Sequence, residues 1–223
     1  MGDFIELVAE DGHHFDVYQA LPDGSARGGI ILLQEIFGVN RHIQALADGY
    51  AAEGYAVLAP ALYDRIEKKL CLSYADFARA REYKFATPDE VALQDITTCF
   101  EALAPYGRRA TIGYCWGGYL SFMAACHLNL ECAVVYYGGG ITGQRERKPR
   151  CPVLYHFGER DQIITVGDVE KIRQSQKALG ADAIFHIYDG ADHGFVCDER
   201  GSYDPKAAAL SRKRTLDFLK THL

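Results

Sequence analysis

The sequence predicts an α/β protein, a doubly wound, mostly parallel sheet with helices on both faces. Three observations predict it. Short apolar runs recur along the chain, stretches of helical periodicity separate them, and Gly, Pro or Asp closes most of them. Apolar runs without polar alternation mark strands buried on both faces. Strands of that kind alternating with helices give a covered parallel sheet, and right-handed crossovers wind it in both directions.

Each element follows from its own signals. Residues 4–8 and 15–20 read as short strands about a turn at Asp11-Gly12, an edge hairpin. Residues 28–33 form a continuous apolar run, a buried strand. Residues 40–53 have helical spacing with Ile43, Leu46, Ala47 and Tyr50 on one face, and Gly54 ends them. Residues 55–59 are the next buried strand, closed by Pro60, and a polar, mixed-charge segment fills 63–87. Pro88 stands near the start of a helix through Leu93, Ile96, Phe100 and Leu103. Strands then fall at 109–114, 132–137, 153–157 and 183–188, with helices at 119–127, 166–179 and 205–223. No repeat or interdomain linker interrupts the pattern, so one domain over residues 1–223 is expected.

Bulk composition narrows the function. The net charge of −6, with both signs interspersed, argues against nucleic acid or an anionic membrane as partner. No apolar run reaches the length of a membrane span, and no basic-then-apolar segment of a signal peptide is visible. The seven cysteines are odd in number and contain no CxxC pair, so neither a disulfide framework nor a zinc knuckle is expected. A cytoplasmic monomer that acts on a small molecule, without metal or organic cofactor, is the expectation.

The hexapeptide Gly113-Tyr114-Cys115-Trp116-Gly117-Gly118 carries the chemistry. It joins a strand to a helix through a sharp turn with a thiol at its apex. Such a turn has no room for bulky side chains two residues to either side, where Gly113 and Gly117 stand. The apex lies at a helix N-terminus, where amides and dipole favour an anion. Ligands bind beyond the carboxyl ends of the strands in open α/β sheets. Asp161 follows the 153–157 strand and His193 follows the 183–188 strand, which gives the chain order nucleophile, acid, histidine. Cys115 would attack a carbonyl carbon, His193 would carry the proton, and Asp161 would fix the imidazole tautomer. Asp192 competes for the acid role, but its adjacency to His193 makes a productive contact awkward. The amide of Trp116 and one from the loop after the 28–33 strand, best Ile36, would hold the oxyanion. Cys99, Cys126, Cys132, Cys71 and Cys151 read as small core residues.

The segments Gln34-Glu35-Ile36-Phe37-Gly38-Val39-Asn40, Gly113 to Gly118, Tyr136-Tyr137-Gly138, Gly158-Glu159-Arg160-Asp161, His193-Gly194-Phe195 and Arg214-Thr215-Leu216-Asp217-Phe218-Leu219 span nearly the whole chain in order. In them the chain resembles the dienelactone hydrolases (carboxymethylenebutenolidases) of the α/β-hydrolase superfamily. The resemblance implies hydrolysis of a lactone or small ester through an acyl-thioester, and a role for Glu35 in deprotonating the thiol. It also implies that a substrate carboxylate is held by basic and aromatic side chains, here Arg79 (or its rival Arg81), Tyr83, Phe37 and Tyr136. The family's second arginine, in an H-x-F-x-R pattern, is replaced by Cys197. Weak turnover of anionic dienelactones relative to neutral esters is therefore expected. Two other functions compete. A glutamine amidotransferase also carries G-x-C-x-G, but it places a close H-x-E pair late in the chain, and Gly194-Phe195 follows His193 here. A non-catalytic small-molecule-binding module would not need the full set of Cys115, Asp161, His193 and Glu35.

Overall fold

A computed structural model describes residues 1–223. In chain order the elements are β1 (Asp3–Val8), β2 (His14–Ala20), β3 (Gly29–Leu33), α1 (Arg41–Ala52), β4 (Ala56–Pro60), α2 (Phe77–Ala86), α3 (Asp89–Ala102), β5 (Arg109–Tyr114), α4 (Trp116–His127), β6 (Cys132–Tyr136), β7 (Val153–Gly158), α5 (Val166–Ala178), β8 (Ala183–Tyr188) and α6 (Pro205–His222). Short 3-10 turns at Ala104–Tyr106 and Ile141–Gln144 complete the set. The eight strands hydrogen-bond in the order β1-β2-β4-β3-β5-β6-β7-β8. Pairs β3–β4, β6–β7 and β7–β8 are parallel, while β1–β2 and β2–β4 are antiparallel. This is the α/β-hydrolase fold, a mostly parallel sheet with interleaved helices.

The chain clusters into two compact units, Met1–Thr111 and Ile112–Leu223. In the first, β3 and β4 are buried at every residue, as their unbroken apolar runs require. Pro60 does not stop β4 but forms its last residue, opposite Val17. Asn40 caps α1, its side chain accepting from the Ile43 N–H at 3.1 Å. The buried face of α1 is His42, Ile43, Ala47, Tyr50 and Ala51; Leu46 lies at its margin, partly buried. The 63–87 segment contains α2, which buries only Ala80 and so shows no apolar stripe in the sequence. Its entry is pinned. Asp64 accepts from the Asp16 and Lys69 amides at 2.7 and 3.0 Å, and Arg65 bridges Asp95 and Asp11 at 2.7 and 2.6 Å.

In the second unit β6 and β7 are buried throughout. Helix α4 begins at Trp116, three residues before the expected start, because Gly117 and Gly118 are themselves helical. Nearly all of it is buried, which fits its glycine- and alanine-rich sequence. A capping box of Thr165 and Asp168 starts α5, and Asp204 with Pro205 starts α6. A buried polar chain ties α6 to β6, β7 and β8. Thr215 Oγ1 meets the Tyr136 hydroxyl at 2.7 Å and His156 Nε2 at 3.0 Å, and His156 Nδ1 meets the Tyr188 hydroxyl at 2.8 Å. Burial holds the His156 pKa well below its ordinary value, aided by His186 and Arg214, so this imidazole is neutral. No helix is long and apolar enough to cross a membrane.

Candidate active site

Cys115 occupies a single-residue turn between β5 and α4, with φ 54° and ψ −114°. That left-handed backbone is strained for a residue with a Cβ, and a site must hold it by other bonds. Here the Cys115 N–H donates to the Tyr136 carbonyl at 3.0 Å, and its own carbonyl accepts from the Tyr119 N–H at 3.1 Å. A Cβ at Gly113 would overlap the Gly117 carbonyl, so the glycine requirement read from the sequence has a definite steric partner. The sequence reading did not single out Gly118. A Cβ there would lie 2.5 Å from the Tyr136 carbonyl oxygen, so this glycine lets α4 approach β6.

The loops after β7 and β8 are sewn together. Glu159 N–H donates to the Tyr188 carbonyl at 3.0 Å, Arg160 N–H to the Ala191 carbonyl at 2.8 Å, and Gly190 N–H to the Glu159 carboxylate at 2.8 Å. Gly158 permits the contact, since a Cβ there would stand 2.5 Å from the Ala191 oxygen. This brings Asp161 Oδ2 within 2.8 Å of His193 Nδ1, both groups buried. Asp161 Oδ1 accepts from the Ile163 and Ile164 amides at 2.8 and 2.9 Å. Because a carboxylate only accepts, Nδ1 carries the proton and Nε2 is left to exchange one with a nucleophile. Asp192 is spent elsewhere, accepting from the His193 main-chain N–H at 2.6 Å.

Burial alone would lower the His193 pKa. The neighbouring Cys115 and Asp161 outweigh it and push the value up to about 10. Nε2 has no partner at full hydrogen-bond geometry. Cys115 is nonetheless close enough to the imidazole to be the largest influence that raises its pKa.

Tyr136 is buried at the end of β6. Its hydroxyl is committed to Thr215, and its ring stacks on Tyr114 with centroids 4.5 Å apart. The next residue, Tyr137, turns to φ 38° and is buried as well, its ring centroid 5.1 Å from that of His193 and 5.4 Å from that of Phe195. Cys197 is fully buried. A cation three residues beyond Cys197 folds back toward the histidine loop. The Arg200 guanidinium packs on Gly194, next to His193, where a Cβ would overlap it. Nothing in the H-x-F-x-C spacing signals this; the 194–200 turn creates it, with Cys197 N–H bonded to the Gly194 carbonyl at 3.0 Å and Arg200 N–H to the Cys197 carbonyl at 3.1 Å.

In the first unit, Glu35 and Ile36 lie buried in the loop after β3. Phe37 is also buried, packed edge-on to Tyr74 at 4.6 Å and near Phe77 at 6.5 Å. On α2, Arg79 and Tyr83 share one face, and both engage the Glu67 carboxylate, Arg79 Nη2 at 3.2 Å. Arg81 lies on another face, over the exposed Phe77 and Phe85 rings at 6.0 and 5.6 Å. Cys71 is exposed, not core, and its main chain pairs with the buried Gly38 in an isolated antiparallel bridge. Trp116 opens α4, so its main-chain N–H lies in the first turn beside Cys115.

A sheet of this order with an acid–histidine pair behind a strand-to-helix elbow defines an α/β-hydrolase. The profile of the dienelactone hydrolase family matches residues 15–223. A carboxymethylenebutenolidase of Pseudomonas sp. (strain P51) is 33% identical over 228 residues, covering 97% of this chain and 94% of the relative. The carboxymethylenebutenolidase of Pseudomonas putida is 32% identical over 227 residues, with 96% and 94% covered. A Klebsiella pneumoniae subsp. pneumoniae crystal structure, provisionally described as a dienelactone hydrolase, superposes with a TM-score of 0.90 at 29% identity, covering 97% of each chain. The chain belongs to the dienelactone hydrolase family.

Proposed function

We propose that this hydrolase opens a lactone or small carboxylic ester through an acyl-thioester on Cys115, as the similarity to carboxymethylenebutenolidases suggests. The observation that carries the reading is the buried Asp161–His193 pair at 2.8 Å, with Cys115 held at the adjacent elbow. In the first step Sγ, its proton passed to His193, attacks the carbonyl carbon. The Trp116 and Ile36 amides hold the resulting oxyanion. When the C–O bond breaks, His193 returns the proton to the departing oxygen, which in a lactone stays tethered to the acyl chain. Water then attacks the thioester while His193 takes its proton. Collapse releases the carboxylic acid and the thiolate, and His193 reprotonates sulfur.

Glu35 is assigned, on the family resemblance, to help deprotonate Cys115 when substrate enters. Binding of a substrate carboxylate falls to Arg79 and Tyr83, with Arg81 as the alternative, and to Phe37 and Tyr136, with Tyr137 beside His193 as a further candidate. Because Cys197 stands where the family has its second arginine, anionic dienelactones are expected to turn over weakly relative to neutral esters.

The test is acid-quenched mass spectrometry during turnover of a slow aryl ester and of a dienelactone. A mass increase on the peptide bearing Cys115, absent in Cys115→Ala along with activity, is the expected result. Undiminished turnover by Cys115→Ala rejects the reading. Glu35→Gln should slow acylation; an unchanged acylation rate removes Glu35 from the mechanism.

A further inference from the structure

We infer that Gln34 is a positioning residue for the oxyanion site, holding and polarising the peptide that carries the Ile36 N–H. The inference rests on the reading of Cys115 as nucleophile and Ile36 as oxyanion donor. Gln34 is fully buried, an unusual place for a carboxamide unless both ends are satisfied. Its Oε1 accepts from the Leu62 main-chain N–H at 3.2 Å, and its Nε2 donates to the Glu35 carbonyl at 3.2 Å. These partners fix the amide orientation, since the first can only donate and the second can only accept.

The Glu35 carbonyl and the Ile36 N–H belong to one planar peptide group. A donor on that carbonyl sets the direction of the N–H and increases its polarity. Leu62 N–H, the Gln34 amide and the Glu35–Ile36 peptide therefore form a line of aligned dipoles that strengthen one another, with the Ile36 N–H at its end. The next peptide is held as well, because the buried Tyr63 hydroxyl donates to the Ile36 carbonyl at 3.1 Å. Beyond it the Leu72 N–H donates to the Phe37 carbonyl at 3.0 Å. The loop after β3 is thus clamped through its carbonyls, which leaves N–H direction as the quantity the clamps control. Oxyanion donors act because they are oriented before the charge arrives.

The experiment compares wild type with Gln34→Met, which keeps the shape and removes both bonds. Gln34→Glu is the second variant, in which the ionised side chain can accept from Leu62 but cannot donate to Glu35. In either variant kcat should fall about tenfold, less than the loss of a whole donor, with KM within about twofold. Affinity for a trifluoromethyl ketone analogue, which forms a tetrahedral adduct with sulfur, should fall by a similar factor. Affinity for the matching methylene compound, which forms none, should not change. A general packing defect would weaken both ligands alike. An unchanged affinity ratio in a folded variant overturns the inference. In the unaltered enzyme, NMR should show the Gln34 side-chain amide and the Ile36 amide protons moving downfield together on adduct formation. A stationary Gln34 signal overturns it too, whether or not the variants fold. If Cys115→Ala is inactive while the Gln34 variants behave as wild type, only this inference fails. Activity in Cys115→Ala removes the reading beneath it.

Discussion

The loops that follow β7 and β8 and the helix α2 carry the two halves of the proposed chemistry, and they are built in opposite ways. Asp161 and His193 are buried, and the chain around them is fixed by main-chain bonds. On α2, Arg79 is about half exposed and is held only by Glu67 and Tyr83, while Arg81 lies over exposed rings. Exposed ion pairs of this kind contribute little to stability and are readily exchanged. The difference teaches that bond-making groups are placed by the backbone, whereas groups assigned to recognition are placed by long side chains able to change partners. Substitutions in the first region should therefore act on kcat and on folding, and those in the second on KM.

The largest expected effect is that of Cys115→Ala, a loss of at least about a thousandfold in kcat, measured with an aryl ester. Asp161→Asn comes next. It should lower kcat by about a thousandfold, because the tautomer is no longer enforced. It should also act through pH. The folded His193 pKa, about 10, lies above its ordinary value of 6.5. Stability from the charged imidazole is thus complete below 6.5 and lost as pH rises through about 10. Thermal melts of wild type should decline over that window, and those of Asp161→Asn should decline less. An equal decline would show that Cys115, the largest raising influence, holds the charge without Asp161.

Gly118→Ala should cost about 2–3 kcal/mol in chemical denaturation, since a methyl meets the Tyr136 carbonyl on rigid backbone. The smallest effects belong to α2. Glu67→Gln should lower KM for an anionic lactone by about twofold to fivefold, by freeing Arg79 and Tyr83, and leave a neutral ester unchanged. A large change in kcat from this substitution would break the contrast between the two regions.

The same contrast governs what the sequence made legible. The turns that carry Cys115, Asp161 and His193 were legible because glycines and strand ends mark them, and buried strands announce themselves by apolar runs. Helix α2 was not, since a helix that buries only Ala80 has no apolar stripe to read. The end of β6 was legible only to within a residue, because a run of apolar residues does not say where a buried strand stops. Arg200 was invisible for another reason. Its approach to Gly194 depends on the path of a turn, which residue spacing does not encode.

The stitching between the loops after β7 and β8 has an outcome for engineering. Asp161 and His193 sit on a cross-braced pair of segments, so neither segment can be lengthened, shortened or transplanted without its companion. A chimera that exchanges only one of them with a relative would inherit mismatched main-chain partners. Successful grafts should move residues 158–164 and 188–194 as a set.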